Sequence, residues 1–113
     1  MIELKTMQKD IARWRKKNFP HSGTVGIQMI GVMEEVGEVC HLILKKDQKI
    51  RGPSLMSNRQ WKEEMKDGVG DIVVYLMNLC TLASIDIEEA IKSTVEMVLA
   101  RDWDEWRKKH GTA

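Results

Sequence analysis

Apolar residues recur at steps of three and four along most of this chain, which is the spacing of a helix face and not the alternation of a strand. Leu4, Met7, Ile11 and Trp14 mark a first helix from about Leu4 to Lys17. Asn18-Phe19-Pro20 ends it, because proline disfavours helical geometry in the residue before it. Met29, Met33, Val36, Cys40 and Ile43 form the core stripe of a second helix from about Thr24 to Lys46. Its last turn holds Lys45 and Lys46, where positive charge suits the helix dipole. The polar segment Asp47 to Asn58, with Arg51-Gly52-Pro53 inside it, reads as a loop.

A third helix begins near Ser57, with Gln60 set for a capping box, and runs through Trp61, Ile72, Tyr75, Leu76, Leu79 and Cys80 to about Ala83. The β-branched run Ile72-Val73-Val74 could form a strand, but the length of the segment favours helix. Val69 to Leu82 is apolar nearly all round, which calls for burial on more than one side, in a bundle centre or at a subunit interface. A fourth helix starts at Asp86, with Glu89 placed for a capping box. Ala90, Ile91, Thr94, Val95, Val98 and Leu99 are its expected buried face, and it runs into the tail Arg101 to Trp106. Four helices with short joints predict an all-α fold: one domain over residues 1–113, an antiparallel four-helix bundle, assembled as a homo-oligomer.

A composition of 42% hydrophobic and 31% charged residues argues against disorder. The net charge of +1 provides no field to steer the chain onto nucleic acid or an anionic membrane, so neither is expected as a partner. The longest apolar stretch, Ile72 to Ala83, is too short to span a bilayer, and Met1 to Lys5 carries no signal-peptide core, so the cytoplasm is the expected compartment. Cys40 and Cys80 lie inside apolar runs and read as buried thiols. His21, His41 and His110 show no ligand spacing with each other.

Two acidic clusters break the helical pattern. Glu34 with Glu38, and Glu35 with Glu38, share one side of the second helix, where like charges repel by a few tenths of a kcal/mol per exposed pair. Glu64, Asp67 and Asp71 share a face of the third, and Asp71 stands before the most apolar stretch, where a bare carboxylate is costly. If the two helices are antiparallel neighbours, the faces can meet and offer oxygen ligands to a hard divalent ion, for which magnesium is suited. Gly37, Gly68 and Gly70 flank the acids, and glycine inside a helix usually has a packing or approach reason.

Glu34-Glu35-Val36-Gly37-Glu38, followed about thirty residues later by Asp67-Gly68-Val69-Gly70-Asp71-Ile72-Val73-Val74-Tyr75-Leu76, resembles the MazG-like all-alpha nucleoside triphosphate pyrophosphohydrolases. Trp14-Arg15, Asn18-Phe19-Pro20, Leu44-Lys45, Ile50-Arg51-Gly52, Ile85 to Ala90 and Arg101-Asp102-Trp103 extend the likeness over about residues 7 to 106. The family's Glu-x-x-Asp would put a glutamate at Gly68. Here Asp67, one residue earlier, gives an Asp-x-x-x-Asp variant, lying roughly 40° around the helix from Asp71 on a different flank.

The resemblance implies hydrolysis of a nucleoside triphosphate to its monophosphate and pyrophosphate, a reaction fit for nucleotide-pool cleansing. It implies magnesium, or manganese in its place, held by Glu35, Glu38, Asp67 and Asp71, with Glu34 or Glu35 as general base. Arg101, Lys45 and Arg51 are candidates for the phosphates, Asn18 for a base edge and Trp14 for a base face. Lys49, Phe19, Trp61 and Trp103 are further candidates of the same types. Two alternatives stay open: a non-catalytic module that binds metal or nucleotide without turnover, and a helical interaction module whose acids merely face solvent.

Overall fold

The computed structural model describes residues 3–50 and 55–111, and Arg51, Gly52 and Pro53 lie outside them. Five helices follow in order: α1 (Leu4–Asn18), α2 (Val25–Gln48), α3 (Asn58–Leu82), α4 (Ile87–Leu99) and α5 (Trp103–His110). A short 3-10 turn, Pro20–Ser22, joins α1 to α2. The all-α expectation holds, and Ile72-Val73-Val74 is helical. The helix starts are chemically marked. Thr24 accepts from the Ile27 N–H, and Ser57 and Gln60 form the full capping box. Asp86 accepts from both Glu88 and Glu89 N–H groups, without a return bond from the Glu89 side chain.

The tail departs from the expected continuation of the fourth helix. It is a separate helix, α5, opened by Asp102 accepting from the Glu105 N–H at 3.0 Å. Asp102 followed by Asp104 and Glu105 is itself an N-terminal signature, with acids where the dipole favours them.

Helices α2 and α3 lie antiparallel. Gly31 meets Tyr75, Val39 meets Gly68, the Trp61 indole donates to Leu42 O at 3.0 Å, and Lys46 reaches Met56 O at 3.2 Å. These partners climb one helix as they descend the other. Helix α1 crosses the end of the pair, pinned by the buried Gln8. Its Nε2 donates to Ile85 O (2.8 Å) and Thr81 Oγ1 (3.2 Å), and its Oε1 accepts from Ile87 N–H (3.0 Å). The Lys5–Asp86 pair at 3.1 Å adds to this tie, and the hydrogen bond from Lys5 holds the Asp86 carboxyl below its ordinary range.

The faces that pack differ from the expected stripes by one residue. In α1 the buried positions are Gln8, Ala12 and Arg15, while Met7 and Trp14 are exposed. In α2 the packed positions include Gln28, Gly31 and Val32, while Met29, Met33, Cys40 and Ile43 face outward. One residue is a rotation of about 100°, so each helix carries a second apolar face that its own chain leaves uncovered. Cys40 is therefore an exposed thiol, contrary to the expected burial, and only Cys80 is partly enclosed, which pushes its pKa up.

Helix α4 shows the same thing more strongly. It packs mainly on α1, and the expected buried face Ile91, Val95, Val98 and Leu99 is exposed, Leu99 at 78%. Among the described residues only Ala12, Val32, Met77 and Ile87 are apolar and buried. The radius of gyration is 18.4 Å, against about 13 Å for a compact domain near this length.

Candidate active site

The acidic residues converge because the antiparallel pairing sets the middle of α2 level with the middle of α3. One oxygen from each of Glu34, Glu35 and Glu38 lies within 4.8 Å of the others. Across the groove, Asp71 is close enough that its charge acts on Glu35. Burial first, then the charges of Glu38 and Asp71, push the Glu35 carboxyl above its ordinary range. Its Oε2 is buried with no hydrogen-bond partner. A crowd of hard oxygen donors, one of them buried and unpaired, fits a divalent cation such as magnesium.

Two concavities meet at Asp71. One, of about 460 Å³, has Glu34, Glu35 and Asp71 at one end and Trp14, Phe19 and Tyr75 among its walls. The other, about 230 Å³, holds Glu38, Asp67, Asp71, Glu64 and His41. Glu38 and Asp71 thus border one groove, with Asp67 on its far flank. Gly68 is filled by packing: a Cβ there would come 2.6 Å from Val39 Cγ2. Gly37 and Gly70 face open space, so the close-approach reason expected of all three glycines applies to Gly68 alone.

The proposed substrate contacts separate into two groups. Trp14 borders the larger cavity, half exposed and tilted against Phe19 with ring centroids 5.5 Å apart. Asn18, Lys45 and Arg101 border neither cavity. The Asn18 amide is spent on Trp14 O at 2.9 Å, Lys45 Nζ donates to Gln48 Oε1 at 2.9 Å, and the Arg101 guanidinium, among the described residues, reaches only Met97 Sδ. Lys45 is eleven residues beyond Glu34, roughly 16 Å along α2. Arg51 lies outside the described residues.

Residues absent from the sequence-based set also line the larger cavity: Arg15, Gln28, Gly31, Tyr75 and Asn78. Gln28 and Asn78 had a legible signal, as amides set inside apolar segments.

A family model described as the MazG nucleotide pyrophosphohydrolase domain matches residues 27–104, well over half of the chain. That interval contains both acidic groups and begins after Trp14, Arg15 and Phe19. Comparison with curated proteins gives no match.

Proposed function

The chain belongs to the MazG nucleotide pyrophosphohydrolase domain family, and on that premise we propose that it hydrolyses a nucleoside triphosphate to the monophosphate and pyrophosphate, with magnesium or manganese at the acidic cluster. The observation that carries this reading is the meeting of Glu34, Glu35 and Glu38 oxygens within 4.8 Å beside a cavity of nucleotide size.

Glu35, Glu38 and Asp71 would hold the cation, with Asp67 reaching in from the flank of the groove that Glu38 and Asp71 border. A bound divalent cation supplies positive charge against the triphosphate and activates water. Water adds to the α-phosphorus, the bond to the oxygen bridging α and β breaks, and pyrophosphate leaves. Glu34 and Glu35 both border the larger cavity; Glu34, the more exposed and the one left out of the cation's ligand set, is the proposed group to take the water's proton on a carboxylate oxygen. Trp14 and Phe19 give the base an aromatic wall. Lys45 and Arg101 keep a phosphate-binding role only if association of copies brings them to an acidic cluster.

Such association is part of the proposal. The uncovered apolar faces of α2 and α4 support a homo-oligomer, in which a second copy buries what one chain leaves open. Among the described residues no single helix is long and apolar enough to cross a membrane, and we assign the activity to the cytoplasmic nucleotide pool.

Pyrophosphate release from a panel of triphosphates, with and without magnesium, tests the reading. The packed Gly68, at the position where a glutamate was expected, favours one rival: a module that binds nucleotide without turnover. Nucleotide binding with no pyrophosphate release would support that rival.

A further inference from the structure

We infer that the cavity beside the acidic cluster selects a nucleobase bearing an exocyclic amino group, as cytosine, adenine and guanine do, over uracil and thymine. This rests on the proposed function and specifies its substrate class.

Three polar side chains that are almost wholly enclosed line that cavity: Gln28 at 2% exposure, Asn78 at 4% and Arg15 at 5%. Gln28 Nε2 donates to Ser22 O at 2.7 Å, which fixes the amide and leaves Oε1 as a pure acceptor. That Oε1 has no partner, and neither does Asn78 Oδ1. Arg15 has no carboxylate partner among the described residues. A buried acceptor without a donor is costly, and native proteins carry few. Two such acceptors and a guanidinium without a carboxylate partner belong to side chains that line one cavity, and a ligand that completes them explains all three together.

Position along the helices separates this group from the metal. Gln28 precedes Glu35 by seven residues on α2, and Asn78 follows Asp71 by seven on α3. Two turns keep each pair on one face and about 10 Å apart along the axis. Because the helices are antiparallel, both amides are displaced toward the same end. A nucleotide whose α-phosphate lies at the Glu35–Asp71 level therefore extends its sugar and base toward the Gln28–Asn78 level.

The chemistry of the edge follows. The Gln28 amide is locked as an acceptor by its bond to Ser22 O, and the Asn78 amide as it stands presents a second, so the pair asks for two N–H bonds. Cytosine and adenine supply them from one amino group, and guanine from its ring N–H and amino group. Uracil and thymine carry one N–H between two carbonyls, so an oxygen of the base would face an amide oxygen of the protein. Arg15, a donor only, takes the carbonyl or ring nitrogen beside the amino group.

Calorimetric binding of non-hydrolysable α,β-imido analogues of dCTP, dATP, dGTP, dUTP and dTTP, with magnesium present, reads selectivity without turnover. At least about a tenfold tighter binding of the amino-bearing analogues is expected, the cost of leaving buried groups unpaired. Equal or tighter binding of the uracil or thymine analogue overturns the inference, as does failure to bind any. Asn78→Leu should bring the dCTP-to-dUTP affinity ratio toward one, and without ligand should leave the melting temperature unchanged or higher. An unchanged ratio counts against the assignment, and if the variant does not fold, the wild-type ratios still decide. Pyrophosphate release is scored separately, so loss of selectivity and loss of activity are distinguishable.

Discussion

A Cβ on Gly31 would overlap the ring of Tyr75, 2.7 Å from Cζ and nearer still to Cδ1 and Cε1. The tyrosine ring occupies the place of the missing side chain, so α2 and α3 approach closely between the Gln28 level and the Glu34–Glu35 level. Gly31 thus sets both the wall of the cavity and the spacing across which the acids meet.

Gly31→Ala should therefore lower stability by about 1–3 kcal/mol through overpacking, although alanine is the better helix former. Gly37→Ala, which points into open space, should raise stability by up to about 1 kcal/mol. Urea denaturation of the two variants measures the contrast, and equal effects would remove the packing role of Gly31.

Glu38→Gln and Asp71→Asn should each lower pyrophosphate release by about a hundredfold or more, since each removes a charged ligand from the site where the triphosphate is neutralised. Both should also reduce the rise in melting temperature that magnesium gives. Without metal, each should be neutral or slightly more stable than wild type, because a like-charge contact is gone. An intact magnesium response in both variants would place the ion elsewhere.

The Glu35 carboxyl binds its proton more tightly in the folded chain than in the unfolded one. Its contribution to stability is thus fully present below the unfolded carboxylate range and is lost as pH rises through the raised folded value. The metal-free protein should gain stability from this group as pH falls from neutral into that range. Magnesium, which needs the ionised form, should bind less well over the same interval. Melting temperature against pH, with and without magnesium, checks both slopes; a magnesium response that does not weaken on acidification would be inconsistent with Glu35 as a ligand.

Light scattering should give a mass that is a multiple of 13.0 kDa. Val95→Glu and Leu99→Lys, on the uncovered face of α4, should shift the population toward single chains. A wild-type monomer would mean that the exposed apolar faces serve something other than self-association.

Gln8→Leu should cost about 1–3 kcal/mol, because it strips partners from Ile87 N–H and Ile85 O at the junction of α1, α3 and α4. Denaturant midpoints compared with Lys9→Leu, an exposed position on the same helix, isolate that effect.

The helices, their starts and the acidic groups were legible in the chain because each depends on neighbours within a turn or two. Ser57 with Gln60 is a local capping motif, and Glu34, Glu35 and Glu38 share a side whatever packs beside them. The burial stripes were less legible, since α1 and α2 each carry two apolar faces and periodicity cannot say which one a neighbour takes. Gln8, Arg15, Gln28 and Asn78 are enclosed for reasons that lie on other helices, and for Gln28 and Asn78 the one local sign was an amide inside an apolar run.

By itself, then, the sequence determined an all-helical chain with carboxylates ranked along two of its helices, since short-range backbone geometry suffices for that. Only the tertiary structure decided that Asp71 borders the same groove as Glu38, that Lys45 and Arg101 stay away from it within one chain, and that two amides with unpaired oxygens stand about 10 Å along the helices from the acids. Those relations depend on how α2 and α3 are rotated and offset against each other. That register comes from contacts such as Gly31 with Tyr75 and Gly68 with Val39, between residues far apart in the chain.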